Sequence, residues 1–360
     1  SSTDDFGQYF ERNSLNIQKT PGTRQHFNIL YSPWVANSTL DPPKMIRSYT
    51  YQEFLPPAEL ARRKREAGTT VSLVVPALNE ERTIGRVVGA VVGDLAGGIG
   101  LVDEVVVIDG GSEDDTVRVA RECGATVCRA ADVMAHVDCQ PGKGTSLWKS
   151  LFVTSGDILV FLDADVVDFE SRFAYGLLGA LLGDEELYFA KAFYARPLVV
   201  DGTFVDNHGG RVTEILARPL LSSWFPELAW LRQPLAGEYA FRRAALEQLP
   251  FCCGYGVEMK LVLGLYRMFG LRHMAQVDMG TRVHRNRPVN ELGKMSFAIL
   301  ETFLRFLREE GRLDWTREPS HTMVTPTGEG WEQEIIDEPT LPPVAEARNE
   351  TAGGTPSSTR

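Results

Sequence analysis

Cysteine is scarce in this chain, and its placement rules out a framework. Five occur in 360 residues, at positions 123, 128, 139, 252 and 253. The count is odd, no Cys-x-x-Cys pair occurs, and Cys252 and Cys253 are adjacent, which excludes a disulfide scaffold and a zinc site of ordinary spacing. Such usage implies a reducing, cytoplasmic location. Long apolar runs are missing as well. The longest candidate, 174–182, holds Gly176 and Gly179 and falls short of the ~18 residues a membrane span needs, so no membrane partner is expected. The opening Ser1-Ser2-Thr3-Asp4-Asp5 is acidic and polar, unlike a secretory signal. Positive charge is in deficit: 37 Lys and Arg against 48 Asp and Glu leave a net charge of -11, which excludes a general nucleic-acid binder. A phosphorylated ligand therefore needs a local basic patch. No Gly-x-Gly-x-x-Gly marks a dinucleotide site. The P-loop pattern fails around Lys143, because Val137 stands where its first Gly belongs and Gly144 where Ser or Thr is required. There is no internal repeat.

What the chain does have is an apolar strand that ends in two acids, Ile158-Leu159-Val160-Phe161-Leu162-Asp163-Ala164-Asp165. Flanked by Gly156 and Asp157, it reads as a central strand. Asp163 and Asp165 cannot be core residues, because burying unpaired charge is costly. They face a cleft at the sheet edge where ligands of open α/β sheets bind. Their spacing puts both on one face of an extended segment and suits a hard divalent cation, with a nucleotide diphosphate completing the shell.

A strand–helix alternation surrounds this run. Residues 71–76, 105–108 and 125–128 read as strands, and 58–67, 80–92, 114–123 and 144–154 as helices. The pattern implies a doubly wound α/β fold with a parallel sheet flanked by helices. The loops after the first two strands then open on the same edge as Asp163 and Asp165. Further on, 187–193 and 271–277 read as strands and 210–221, 239–249 and 257–269 as helices. Residues 290–309 form an amphipathic helix with Phe297, Leu300, Phe303, Leu304 and Leu307 on its core stripe. Beyond Pro319, a composition rich in Pro, Thr, Glu and Gly reads as a poorly packed tail.

Several loops carry chemistry. Asn79 can cap the helix after the first strand, with Glu81 in its first turn, while Pro76, Leu78 and Glu80 frame a base and ribose. Asp109 at the second strand end, followed by Gly110, Gly111 and Ser112, lets a ligand approach the backbone, with Ser112 or Asp114 as the next cap. Lys143, between glycines ahead of a helix, suits a diphosphate or a carboxylate. Gly210, Arg211 and Thr213 open another helix and suit an oxyanion. His284 sits in Arg282-Val283-His284-Arg285-Asn286-Arg287, the densest cationic stretch of an acidic chain, which fits a phosphate-rich site.

In this order, Val74-Val75-Pro76-Ala77-Leu78-Asn79-Glu80-Glu81, Ile108-Asp109-Gly110-Gly111-Ser112-Glu113-Asp114-Asp115-Thr116 and Asp163-Ala164-Asp165 resemble the nucleotide-sugar-dependent glycosyltransferases of the GT-A fold. Four later motifs are similar to those of the retaining glucosyl- and mannosyl-3-phosphoglycerate synthases: Gly209-Gly210-Arg211-Val212-Thr213-Glu214, Gly237-Glu238-Tyr239, Gly254-Tyr255-Gly256-Val257-Glu258 and His284-Arg285-Asn286-Arg287-Pro288. The resemblance runs from about residue 70 to 310. It implies a GT-A fold, Rossmann-like and mostly parallel, with a helical acceptor-side C-terminal part. The divisions would be an N-terminal arm and lead-in helix over 1–69, a nucleotide-sugar half over 70–200, an acceptor half over 201–318 and a flexible tail over 319–360. It implies a divalent metal, Mg²⁺ or Mn²⁺, on Asp165 and His284. Pro76, Leu78, Glu80, Gly110, Lys143, Asp163, Ala164 and Arg282 would bind the donor, and Gly210, Arg211, Thr213 and Asn286 the acceptor 3-phosphoglycerate. Glu258 and Asp163 would serve the reaction centre, in a front-face attack where the leaving phosphate helps deprotonate the acceptor. A homodimer is expected. Where the glucosyl enzymes carry a third glycine and Asp-Ser-Gly-Ser, this chain has His208 and Asp109-Gly110-Gly111-Ser112, and its N-terminal arm is unlike theirs. Those departures point to the mannosyl branch, with GDP-mannose as donor and a compatible-solute precursor as product. The alternatives are the glucosyl branch with UDP-glucose or GDP-glucose, a GT-A nucleotidyltransferase, or a non-catalytic sugar-nucleotide-binding protein.

Overall fold

The structure, a computed structural model, describes residues 46–195, 198–200, 203–205, 210–282, 289–327 and 330–353. Strand β1 (Arg47–Thr50) and helix α1 (Pro57–Glu66) lead into an alternation of β2 (Val71–Ala77), α2 (Ile84–Ala90), β3 (Glu104–Asp109), α3 (Thr116–Glu122), β4 (Thr126–Arg129), α4 (Lys143–Ser150) and β5 (Ile158–Phe161). Then come α5 (Arg172–Gly183), β6 (Phe189–Ala195), the hairpin β7 (Leu198–Val200) and β8 (Thr203–Val205), α6 (Arg218–Trp224) and β9 (Tyr239–Arg242). Helix α7 (Arg243–Leu246), β10 (Phe251–Cys252), α8 (Val257–Phe269), β11 (Met274–Thr281) and α9 (Val289–Glu309) follow. The last elements are β12 (Thr322–Thr327), β13 (Gly330–Ile335), β14 (Thr340–Leu341) and α10 (Val344–Gly353).

The main sheet has the order β1-β11-β6-β9-β5-β2-β3-β4. All its pairings are parallel except those of β9, which runs antiparallel to both β5 and β6. The central strands are apolar on both faces, because helices cover both. Leu73, Val75, Ile158 and Val160 point into one core, while Val74, Leu159 and Phe161 point into the other. That alternation is the two-residue period of an extended chain sorting side chains between two layers. The mixed, mostly parallel GT-A sheet agrees with the architecture expected.

Three expectations need correction. Residues 239–249 are not one helix. Tyr239–Arg242 is the antiparallel strand, with Phe161 opposite Tyr239, and only Arg243–Leu246 is helical. The sheet needs a strand between β5 and β6, and that tertiary demand overrides the local helical pattern. On α9 the buried seam is Ala298, Ile299, Thr302, Phe303, Phe306 and Leu307, so only Phe303 and Leu307 of the expected stripe are buried. The region past Pro319 is not a loose tail throughout. Thr340 and Leu341 pair with Cys252 and Phe251, the buried Trp148 Nε1 donates to the Pro342 carbonyl at 2.8 Å, and Leu341 and Val344 are buried. Among the described residues no helix is long and apolar enough to cross a membrane, and all five cysteines are free thiols.

Candidate active site

One edge of the sheet collects the chemistry. Parallel β2, β3 and β5 end there at Ala77, Asp109 and Phe161, β11 ends just before Arg282, and antiparallel β9 begins there at Tyr239. A single reversed strand therefore delivers Glu238 and Tyr239 to the edge where the parallel strands finish.

The first two loops are stapled to each other. Asn79, in the left-handed region at φ 56°, accepts the Glu113 N–H on Oδ1 at 2.9 Å, and its own N–H donates to Ser112 Oγ at 2.9 Å. Glu80 N–H donates to Thr116 Oγ1 at 2.7 Å, and Asp115 N–H to Glu81 Oε2 at 3.1 Å. Asn79 is thus a bridge between loops rather than the helix cap expected of it, and of Ser112 and Asp114 it is Asp114 that accepts the N–H of Thr116, the first residue of α3, at 3.0 Å. Asn tolerates this backbone, and its short amide reaches the neighbouring loop. Asp109 is buried and turns back on its own loop, accepting the Ser112 N–H at 3.1 Å. Half-buried Pro76 and Glu80 and exposed Leu78 and Gly110 are left along this rim.

Beyond β5, Asp163 and Asp165 are partly exposed, at 24% and 28% of the side chain. Asp163 Oδ1 accepts from Lys143 Nζ at 2.8 Å, and Lys143 Nζ also lies 2.7 Å from Glu258 Oε1, an ion pair rather than an aligned hydrogen bond. Burial opposes the Lys143 charge, but Asp163 and Glu258 outweigh it and hold the ammonium well above the usual lysine range. Lys143 opens α4, and its flanking glycines press against the backbone of Cys252 and Cys253. A Cβ on Gly142 would lie 2.4 Å from the Cys253 carbonyl oxygen, and one on Gly144 1.9 Å from that of Cys252. They are glycine so that α4 can press against residues 252–253, which brings Lys143 to Glu258 on the first turn of α8. Gly237 has the same logic, because a Cβ there would sit 2.1 Å from Asp163 Oδ1.

Arg282 is 1% exposed and closes the cluster from the far side. Its Nη2 lies 3.4 Å from Asp165 Oδ1 and 3.8 Å from Asp163 Oδ2. Its Nη1 contacts Glu238 and donates to Tyr194 Oη at 2.6 Å, and Tyr194 Oη in turn donates to Glu238 Oε2 at 2.9 Å. Burial works against the guanidinium charge, and Glu238 more than restores it. The Arg282 Nε is buried too and has no hydrogen-bond partner among the described residues. Behind these residues lies Lys191, 2% exposed, with Nζ 4.4 Å from the Tyr239 ring centroid. Burial pushes it down to about 7, and Lys143 adds to that fall against the pull of Glu258.

The structure therefore brings Lys143, Asp163, Asp165, Glu258 and Arg282 together, with Ala164 between the two acids and Pro76, Leu78, Glu80 and Gly110 on the adjoining strand ends. Gly210, Arg211 and Thr213 stand at the start of the helical run that leads into α6, with Thr213 buried. His284 and Asn286 lie outside the described residues, as do His208 and Gly209. Sequence reasoning missed Glu238, Tyr194 and Lys191 as parts of the site. Glu238 had a signal in Gly237-Glu238-Tyr239, and Lys191 had one as the single charge in the apolar Phe189–Ala195 strand. A separate group, Glu301, His321 and Asp337, has ligand atoms within 4.8 Å of one another. Its positive charge already comes from Arg305 Nη2, 2.7 Å from Glu301 and 2.5 Å from Asp337.

This fold with carboxylates at the end of its central strand defines the class: a GT-A glycosyltransferase. The sequence profile of Glycosyl transferase family 2 matches residues 72–209. Glucosyl-3-phosphoglycerate synthase of Petrotoga mobilis is 43% identical over 280 residues, 77% of this chain and 86% of that protein. The chain belongs to the glucosyl-3-phosphoglycerate synthase family. Among solved structures, mannosyl-3-phosphoglycerate synthase from Rubrobacter xylanophilus superposes with a TM-score of 0.76 at 39% identity, covering 84% of this chain and 96% of that one. Glucosyl-3-phosphoglycerate synthase from Mycobacterium tuberculosis, in complex with Mn²⁺, UDP-glucose and phosphoglyceric acid, gives 0.74 at 38% identity, covering 84% and 99%.

Proposed function

We propose that this chain is a retaining hexosyltransferase that moves glucose from a nucleoside-diphosphate donor to the C2 hydroxyl of 3-phosphoglycerate. The observation that carries the reading is the convergence of Lys143, Asp163, Asp165, Glu258 and Arg282 at one sheet edge, in a chain 43% identical to a glucosyl-3-phosphoglycerate synthase. The resemblance in motifs had pointed to mannose. Relatives from Petrotoga mobilis and Mycolicibacterium smegmatis, 43% and 49% identical, instead carry the glucosyl name. Mannose from GDP-mannose is the second reading, supported by the Rubrobacter xylanophilus neighbour.

A hard divalent ion suits the site. Asp165 offers carboxylate oxygen at a partly exposed strand end, and oxygen donors are what Mg²⁺ and Mn²⁺ take. Asp165, with His284, would hold it, and it would supply charge neutralisation for the departing diphosphate. The chain's own residues do the rest. Lys143 and Arg282 stand as fixed cations beside the same phosphates, already oriented by Asp163 and Glu238, so little reorganisation accompanies bond breaking. As the bond from C1 to the diphosphate oxygen lengthens, positive charge grows on the sugar, and the carboxylates of Glu258 and Asp163 stabilise it. The acceptor oxygen bonds to C1 on the face the diphosphate leaves, and its proton passes to the departing phosphate oxygen. Arg211, Thr213 and the backbone N–H of Gly210 would receive the acceptor's phosphate or carboxylate, with Asn286 a further contact.

The test is incubation with 3-phosphoglycerate and each of UDP-glucose, GDP-glucose and GDP-mannose, with Mg²⁺ or Mn²⁺ and with EDTA. The product sugar is identified after phosphatase treatment. Metal-dependent glucosylglycerate is expected. Product from GDP-mannose alone would replace the first reading by the second, and no product from any donor would sink both.

A further inference from the structure

Glu338 has no part in the site as described, yet it holds one wall of it. It lies between β13 and β14, 84 residues along the chain from Gly254, and is 3% exposed. Its Oε2 accepts the Gly254 N–H at 2.9 Å and its Oε1 the Tyr255 N–H at 3.0 Å. The fit is close, since a Cβ on Gly254 would lie 2.3 Å from Glu338 Oε1. A Cβ on Gly256 would lie 1.9 Å from Thr302 Oγ1 of α9. The neighbouring backbone is tied to the same segment, with Cys253 N–H donating to the Pro339 carbonyl at 3.2 Å and β14 pairing with β10. Residues 254–256 lead straight into α8, whose first turn carries Glu258.

Gly254 and Tyr255 stand just ahead of α8, so their N–H groups have no partner in the helix ladder. A nearby Ser, Asp or Asn side chain often supplies one. Here Gly254-Tyr255-Gly256 provides no such side chain, and a carboxylate from the far end of the chain does the work. Burial pushes the Glu338 carboxyl above its usual range, while the Gly254 and Tyr255 N–H groups pull the other way. Keeping an acid in so unfavourable a place implies a job for it.

We propose that Glu338 is a positioning residue: it fixes the backbone of residues 254–256 and thereby the aim of the Glu258 carboxylate at Lys143 and the reacting sugar. The inference rests on the reading of Glu258 as a member of the reaction centre, and the experiment separates the two. In the full chain, Glu338→Ala, Glu338→Gln, Glu258→Gln and the two combinations with Glu258→Gln are compared for kcat, for the KM of each substrate, and for amide hydrogen exchange over residues 254–260.

Glu338→Ala should lower kcat about ten- to hundredfold, the scale of a misplaced catalytic group, with donor KM changed less than about threefold. Glu338→Gln keeps one oxygen acceptor but turns its NH2 on the second N–H, so its loss should be smaller than that of Ala yet still several-fold. Exchange should quicken at Gly254, Tyr255 and the first turn of α8, more in Ala than in Gln. Once Glu258 is Gln, changing Glu338 should cost little more, because both act through one carboxylate. Unchanged kcat in Glu338→Ala, or losses that multiply in the combined variants, would overturn the proposal. If Glu338→Ala fails to fold, Glu338→Gln and its combination with Glu258→Gln decide by the same additivity criterion. If Glu258→Gln itself turns over normally, the role of Glu258 fails instead, whatever Glu338 does.

Discussion

The two walls of this site are held by different means. On the strand-end side, β2, β3 and β5 lie next to one another and end at one edge, and the two loops that follow β2 and β3 interlock through Asn79, Glu80, Ser112 and Thr116. Each functional residue there is a few positions from the strand that aims it. On the opposite wall, Glu258 sits on α8, whose entry is held by Glu338, Pro339 and Thr340 from the other end of the chain. Lys143 spans the seam, bonded to Asp163 on one side and paired with Glu258 on the other. A wall made of strand ends inherits its geometry from the sheet. A wall made of a helix entry needs distant chain to satisfy its backbone.

The comparison can be broken most severely on the strand-end side. Asp165→Asn should cut kcat/KM about a thousandfold, the several kcal/mol expected when a metal's anionic ligand is lost. Steady-state rates across a Mn²⁺ titration check this, and an unchanged metal requirement would move the metal elsewhere. Next comes Glu238→Gln, which removes the carboxylate that Arg282 Nη1 contacts and leaves Asp163 and Asp165 as the acids described beside the buried guanidinium. Removing one partner of a buried pair costs about 3 kcal/mol, so the unfolding midpoint in denaturant should fall and donor KM rise. A midpoint equal to wild type would show that Arg282 does not need Glu238. Gly144→Ala attacks the seam itself. With its Cβ driven against the Cys252 carbonyl oxygen, it should cost about 2–3 kcal/mol and separate Lys143 from Glu258. Thermal unfolding together with kcat tests both effects, and a stable, active variant would mean the seam is looser than the structure shows.

A pH-dependent effect sharpens the comparison from beneath. Burial holds Lys191 at about 7 in the folded chain against an ordinary 10.5. Between those values the unfolded chain holds the proton and the folded chain does not, so stability rises with pH across that window. The slope is at most about 1.4 kcal/mol per pH unit. Lys191→Met abolishes the linkage, so its stability advantage over wild type should be largest at pH 7 and shrink towards pH 10. A difference that stays flat over that range would show that Lys191 titrates as an exposed lysine.

How far each wall was legible follows from the same contrast. The strand at 158–162, the loops at 76–81 and 109–116 and the placement of Asp163, Lys143 and Glu258 in one site all follow from short-range pattern and motif. Asn79 was misjudged as a cap because it bonds across to a loop that periodicity does not reveal, whereas Asp114, one of the two caps expected for α3, does accept the Thr116 N–H. Tyr239–Arg242 was hidden because four residues of strand run directly into Arg243–Leu246, and the combined stretch imitates one helix. Glu338 was hidden inside a composition that locally resembles unpacked chain.

Taken alone, the amino-acid sequence determined the alternating α/β pattern, the acids at the end of the central strand, the shortage of thiols and of positive charge, and the family motifs, since all of these are written in near neighbours. Tertiary structure decided that β9 runs against the sheet and hands Glu238 to Arg282, that the two glycines beside Lys143 press against the backbone of Cys252 and Cys253, and that Glu338 accepts the backbone N–H groups ahead of α8. Those outcomes depend on which distant backbone groups need partners once water is excluded, and that need arises only when the parts are brought together.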